Sequence, residues 1–189
     1  MTLAEVRSQL FVPADREDRL AAAFGSGADA VVADLEDFVP GDRKDAARAN
    51  VAQMLSGLTG AARFVRVNAP ETGLLAADLE AIRGIALDAV VLPKATVESL
   101  PAVSDLGIPV VALIENARGL REAYEIAAAP AVVALGLGAG DLTIALRLQP
   151  RPDALELLFA RSKLLSSRSH IASSYHAART LDGAAAFVR

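Results

Sequence analysis

The chain has 189 residues, 53% of them hydrophobic, a formal net charge of -4 and no cysteine. That length and apolar content suit a single domain over residues 1–189 with a sizeable core, and the absence of cysteine excludes disulfides, thiolate metal sites and a cysteine nucleophile. An acidic balance with six Phe, two Tyr and no Trp speaks against a nucleic-acid surface, so a polyanionic ligand must meet local cations.

Taken in order, the first element is Ser8-Gln-Leu-Phe-Val-Pro13, a strand ending at proline, with Asp15 as N-cap of a helix to about Gly25. Ala30 to Glu36 is a second strand closing on the acids Asp34, Glu36 and Asp37; Asp42 then caps a helix carrying Lys44 and Arg48, with Gly57 near its end. Arg63-Phe-Val-Arg-Val-Asn68 is the third strand, and Leu74 to Arg83 is helical, with Leu75, Leu79 and Ile82 apolar and Gly84 as C-cap. Ala89 to Lys94 is the fourth strand, followed by a weak helix interrupted by Pro101. Ile108 to Asn116 and the run from Val132 are strands five and six, separated by a helix from about Arg118 to Ala128. After the loop Leu148-Gln-Pro-Arg-Pro-Asp153 come a helix from about Ala154 to Ser167, a seventh strand around Ser174 to Ala178, and the start of a helix capped by Asp182.

Strands alternating with helices at this spacing imply an α/β fold with a parallel sheet, either closed or open and doubly wound. Functional residue types at the end of nearly every strand favour a (β/α)8 barrel of TIM type. Such barrels usually run to about 250 residues, so the sequence is expected to stop roughly one βα unit and its C-terminal helices short. The longest weakly polar stretch, Ile126 to Gly140, is broken by Pro130 and glycines and is too short for a bilayer. With Glu5 ahead of Arg7 the N-terminus lacks a signal-peptide pattern, and a cytoplasmic protein without a membrane partner is expected.

The chemistry concentrates where strands five and six end. Ile108-Pro-Val-Val-Ala-Leu-Ile-Glu-Asn116 delivers Glu115, and Val132-Val-Ala-Leu-Gly-Leu-Gly-Ala-Gly-Asp-Leu142 delivers Asp141. Two adjacent strands ending in acids place both carboxylates at one barrel mouth, a donor set that suits magnesium (Mg2+), which takes one or two carboxylates and keeps waters. Simpler roles exist for each: Asp141 as the N-cap of the helix from Leu142, Glu115 in an ion pair with Arg118. Arg66 and Asn68 share a face at the end of strand three. A guanidinium there either holds a keto or hydroxy acid through two parallel hydrogen bonds or bridges to Glu36 and Asp37. Lys94, ending strand four, is either a Schiff-base nucleophile of a metal-free aldolase or a partner of Glu115 or Asp141.

Six ordered motifs complete the picture: Arg7-Ser-Gln-Leu-Phe-Val-Pro13, Asp34-Leu-Glu-Asp37 with Lys44 and Arg48, Arg66-Val-Asn68, Leu92-Pro-Lys94, Ala112-Leu-Ile-Glu-Asn-Ala-Arg-Gly119 and Gly138-Ala-Gly-Asp-Leu142. Together they resemble the citrate lyase β-subunit family, the acyl-CoA lyases of the HpcH/HpaI aldolase superfamily, closely over about residues 7 to 142 and loosely beyond. The resemblance implies a magnesium-dependent carbon-carbon lyase acting on a 3-hydroxy-acyl-CoA such as citryl-CoA or malyl-CoA, or running the reverse condensation, in a homo-oligomer, a trimer. Glu115 and Asp141 would be the metal ligands. Arg66 would bind the keto acid, helped by backbone N–H groups of Gly138, Ala139 and Gly140, with Glu36 and Asp37 orienting metal waters. Arg7, Lys44 and Arg48 are the candidates for the CoA phosphates.

Two departures stand out. Gly140 replaces an acid usual before the metal-binding Asp, and His176 aligns where the family often shows Asp, so that it is either a proton carrier or a packed residue; His170 reads as surface. No residue is an obvious base for the hydroxyl proton, and in the family a later segment, sometimes from a neighbouring subunit, helps complete the site. A non-catalytic or complex-dependent CoA-binding subunit is the alternative that a short barrel with exposed strand edges suggests.

Overall fold

The structure is a computed structural model that describes residues 5–167 and the strand Ser173–His176. His170, the side chain of His176 and the helix expected after Asp182 lie outside the described residues.

Seven strands form one sheet: β1 (Gln9–Pro13), β2 (Ala30–Asp34), β3 (Ala62–Arg66), β4 (Ala89–Leu92), β5 (Val110–Ile114), β6 (Val132–Leu137) and β7 (Ser173–His176). Each pairs in parallel with the next, in the order of the sequence. A doubly wound sheet reverses its strand order at a switch point, and this one does not, so the winding is that of a TIM-type barrel.

Between the strands lie α1 (Glu17–Ala23), α2 (Lys44–Met54), α3 (Leu75–Ile82), α4 (Pro101–Ser104), α5 (Ala117–Arg121), α6 (Ala123–Ala127), α7 (Ala139–Ala145) and α8 (Leu158–Ser166). None of the helices among the described residues is long and apolar enough to cross a membrane.

Several element ends differ from expectation, each for a local reason. Arg16, not Asp15, is the N-cap of α1, and Asp15 instead lies 3.4 Å from Arg43. Asp42 sits inside a 3-10 turn, Gly41–Arg43, that leads into α2. Pro101 opens α4 instead of interrupting it, as suits a residue whose missing N–H would have had no intrahelical acceptor. The long helix expected after β5 is two short ones, α5 and α6, meeting at Glu122.

Strand alternation divides the core in two. Val31, Ala33, Val65, Val90, Ala112 and Leu135 face the helices, whereas Ala30, Val32, Phe64, Val91, Val111, Leu113 and Ala134 pack against one another inside the curve of the sheet. Burial on both faces is why the strands read as continuous apolar runs. One close approach locks α5 onto the loop after β4: a side chain at Gly119 would overlap the carbonyl oxygen of Ala95. Gly119→Ala is expected to cost about 1–3 kcal/mol, read from thermal or urea unfolding, since backbone on both sides leaves nothing flexible to give way.

Candidate functional site

The inner register that buries Val32 and Phe64 continues two residues on to Asp34 and Arg66, which are Cα partners at the carboxyl ends of β2 and β3. Asp34 is fully buried, and its carboxylate accepts from Arg66 Nε at 2.6 Å and Nη2 at 2.7 Å, forming a fork. The same two oxygens accept the N–H groups of Glu36 and Phe38, so that Asp34 also ties down the turn after its own strand. Arg66 Nη1 lies 2.9 Å from Glu36 Oε2, an ion pair whose geometry is too oblique for a hydrogen bond. The guanidinium carbon stands 5.2 Å from the ring centre of Phe11 and 5.1 Å from that of Phe38. Burial works against this charge, but the hydrogen bonds and charge of Asp34, with Glu36 and Glu115, hold it firmly protonated.

The bridging reading of Arg66 has its partner. The guanidinium bridges to Glu36, and to Asp34 more strongly. The Nε–Nη2 edge is taken by Asp34, so that a substrate oxygen would have to meet the Nη1–Nη2 end.

Glu115 continues the inner register of β5 and is 4% exposed. Its Oε2 accepts the backbone N–H of Lys94 at 2.8 Å, and its other oxygen lies against Gly138, where even a methyl group would overlap the carboxylate. Burial pushes the Glu115 carboxyl up to about 7 despite the Lys94 N–H, because Glu36 adds a like charge. Its expected alternative partner, Arg118, is 2.7 Å from Glu98 and 2.9 Å from Glu122 instead. Gly138 is the N-cap of α7, which places Ala139, Gly140 and Asp141 in its first turn, whose N–H groups have no intrahelical acceptor. Asp141 is thus not the cap of its helix.

Lys94 joins these acids. Its Nζ contacts Glu36 Oε1 and lies 3.8 Å from Asp37 Oδ2 and 3.9 Å from Asp141 Oδ2. Burial opposes its charge, yet the hydrogen bond to Glu36 and the charges of Glu36, Asp37 and Glu115 hold the ammonium above the usual lysine range. A Schiff-base nucleophile needs the neutral amine, so this environment disfavours the metal-free aldolase.

The donor set is all oxygen. Among the described residues no group of three or more acids or histidines is arranged to hold an ion unaided. A pair of carboxylates, one of them given room by a glycine and pushed toward protonation by burial, fits a hard ion that keeps most of its waters.

The structure does not bring the three phosphate candidates to this mouth as free cations. Lys44 Nζ donates to Leu35 O at 2.5 Å, Glu36 O at 2.8 Å and Asn68 Oδ1 at 2.7 Å, which uses all three of its protons. Arg48 pairs with Asp78 at 2.8 Å and Asp45 at 2.7 Å. Arg7 precedes β1 and its N–H and guanidinium turn to Asp29, ahead of β2, at the amino end of the barrel. Lys44 and Arg48 belong to one network of the scaffold, and Lys44 also lines the groove beside the acids. Asp78, fully buried in α3, accepts from Arg48 Nε and from Asn68 N and Nδ2, and Asn68 in turn receives Lys44. The network fixes the ends of β2 and β3 on which Glu36 and Arg66 stand. A groove of about 530 Å3, lined by Glu36, Asp37, Asn68, Glu71, Leu74 and Lys94 among others, opens beside the acids.

The HpcH/HpaI aldolase/citrate lyase family model matches residues 7–177. A (3S)-malyl-CoA thioesterase of Cereibacter sphaeroides is 38% identical over 170 residues, covering 87% of this chain and 60% of the relative. The chain thus spans about three-fifths of that curated relative's length. Among solved structures, the citrate lyase β subunit of Mycobacterium tuberculosis with oxaloacetate and magnesium superposes with TM-score 0.80 at 36% identity, over 96% of this chain and 83% of that one. Protein CitE of the same organism, with magnesium, acetoacetate and coenzyme A, gives TM-score 0.79 at 36% identity over 95% and 68%. A shared winding, over nearly the whole of the chain and at this identity, has one explanation: the chain belongs to the HpcH/HpaI aldolase/citrate lyase family.

Proposed function

We propose that this protein is a magnesium-dependent lyase that cleaves a 3-hydroxy-acyl-CoA such as malyl-CoA or citryl-CoA into an acyl-CoA and a keto acid, or joins the two, in a homo-oligomer. The observation that carries the reading is that Glu115, from the end of β5, and Asp141, from the first turn of α7, both lie against Lys94, the one at its N–H and the other 3.9 Å from its Nζ. Solved relatives with magnesium beside oxaloacetate, or with acetoacetate and coenzyme A, support it.

Glu115 and Asp141 would hold the ion, which when bound polarises the oxygen on the keto-acid side and steadies the charge that develops there. Arg66 presents the Nη1–Nη2 end of a guanidinium already fixed in plane by Asp34 and by two aromatic rings, and so adds a second, preorganised positive charge without reorientation. The first-turn N–H groups of α7 would help to hold the keto acid, and Gly138 leaves room for the Glu115 carboxylate beside them. Glu36 and Asp37 stand behind as acceptors for water. The groove beside them is the place for the thioester arm.

A relative named as a thioesterase raises a second reading, hydrolysis of the CoA thioester. One assay separates the two. Malyl-, citramalyl- and citryl-CoA are each incubated with magnesium and the chain, and both keto acid and free thiol are followed. Lysis is expected to release keto acid without thiol, and Glu115→Ala is expected to lower the rate by at least about a hundredfold, the loss typical when a preorganised charge is removed. Thiol release without keto acid would replace the lyase reading with the hydrolase.

A further inference from the structure

We propose that the Lys94 ammonium is a built-in cation that competes with the divalent ion for the acidic mouth, so that this one side chain sets how tightly the ion is held. The inference rests on the reading of Glu115 and Asp141 as the ion's ligands. Its ground is the position of a single residue among four carboxylates. The Lys94 N–H is bound to Glu115, while its Nζ contacts Glu36 and stands within 4 Å of both Asp37 and Asp141. A divalent ion between Glu115 and Asp141 would lie within a few ångström of that ammonium, and two like charges so close repel strongly in a half-buried site.

The backbone is built to keep Lys94 there. Its φ is 51°, in the left-handed region that a side chain makes costly, and the conformation is held by the N–H to Glu115, by Asn116 Nδ2 on its carbonyl at 3.4 Å, and by the next N–H, that of Ala95, on Leu113 O at 3.0 Å. The side chain, by contrast, is 36% exposed and borders the groove that Asp37 and Glu71 also line. The ammonium can therefore leave Asp141 for the groove without moving the backbone that anchors Glu115. In the metal-free protein it neutralises the acids; as the ion enters, it is displaced, and the displacement subtracts from the ion's affinity.

The test is calorimetric titration of magnesium into the full chain, wild type against Lys94→Met and Lys94→Arg. Lys94→Met is expected to bind the ion about tenfold more tightly, because a nearby charge has gone. Lys94→Arg, which keeps the charge, is expected to stay close to wild type. A Lys94→Met protein that binds no more tightly than wild type overturns the inference, as does an arginine variant that gains as much as the methionine one. The unaltered protein supplies a second measurement should Lys94→Met fold poorly. It has three lysines, so amine acylation read by mass spectrometry can compare Lys94 with Lys44 and Lys163 in the same sample. Magnesium is expected to raise labelling at Lys94 alone; an unchanged rate while the ion binds overturns displacement. A wild-type chain that binds no magnesium fails at the earlier step, removing the lyase reading and the competition together.

Discussion

Asp34→Ala should lower the stability of the fold by about 3–5 kcal/mol, the loss found when one half of a buried, hydrogen-bonded charge pair is deleted. Asp34 is fully buried and takes four hydrogen bonds, two from Arg66 and one each from the N–H groups of Glu36 and Phe38. Alanine strands a guanidinium that is only 6% exposed and frees two N–H groups of the turn at once. For a domain of this size the midpoint of thermal unfolding should fall by about 10 °C. The double variant Asp34→Leu, Arg66→Met should be less damaged than Asp34→Ala, since the uncompensated charge is then gone and the apolar pair can pack against Phe11 and Phe38. A single variant within 1 kcal/mol of wild type, by the same unfolding measurement, would mean that the fork is not what holds Arg66.

How much of this was readable beforehand depends on the range of each interaction. The winding was legible, because most of the strands are apolar runs and β1 to β6 are each followed by a helix; the strand starts at Gln9, Ala30, Ala89 and Val132 lie within two residues of expectation. That Glu115 and Asp141 both come against Lys94 follows from the same winding, since a barrel sends the ends of its strands to one mouth. Pairing across strands was not. Asp34 read as one acid among several, and nothing local shows that it is committed to a guanidinium 32 residues away. Lys44 and Arg48 looked available because a cation on a short polar stretch normally faces water, whereas Lys44 is spent on two carbonyls and an amide.

Some signals were present and unused. Asp78 lies three residues after Leu75 and four before Ile82, on the face of α3 that those two bury, and an acid at such a position must have partners inside. Arg7 stands before β1, and by the rule that barrel chemistry gathers at the carboxyl ends it could be assigned to the far side.

The site also has a cost that stability can measure. Burial raises the Glu115 carboxyl from an ordinary 4.5 to about 7 in the folded chain, so the folded state holds this proton more tightly than the unfolded one. Below pH 4.5 the group is protonated in both states and costs nothing; as pH rises toward 7 the unfolded chain releases its proton first, and the penalty grows until both are ionised. Above pH 7 it levels off at about 3 kcal/mol, the shift converted at ~1.4 kcal/mol per pKa unit. Glu115→Gln, which keeps the shape and an acceptor for the Lys94 N–H, should therefore be more stable than wild type in chelator at pH 8 by up to about 3 kcal/mol, with the gain closing toward pH 4.5. Magnesium should close most of that gap at pH 8, adding about 2.7 kcal/mol to wild type at a hundred times its dissociation constant and little to a variant that has lost a ligand. Denaturant titrations of both proteins at pH 8 and pH 5, with and without the ion, give all the comparisons. Equal stabilities at pH 8 in chelator would show that Glu115 is not strained by its burial, and the reason for expecting a cation beside it would go with that strain.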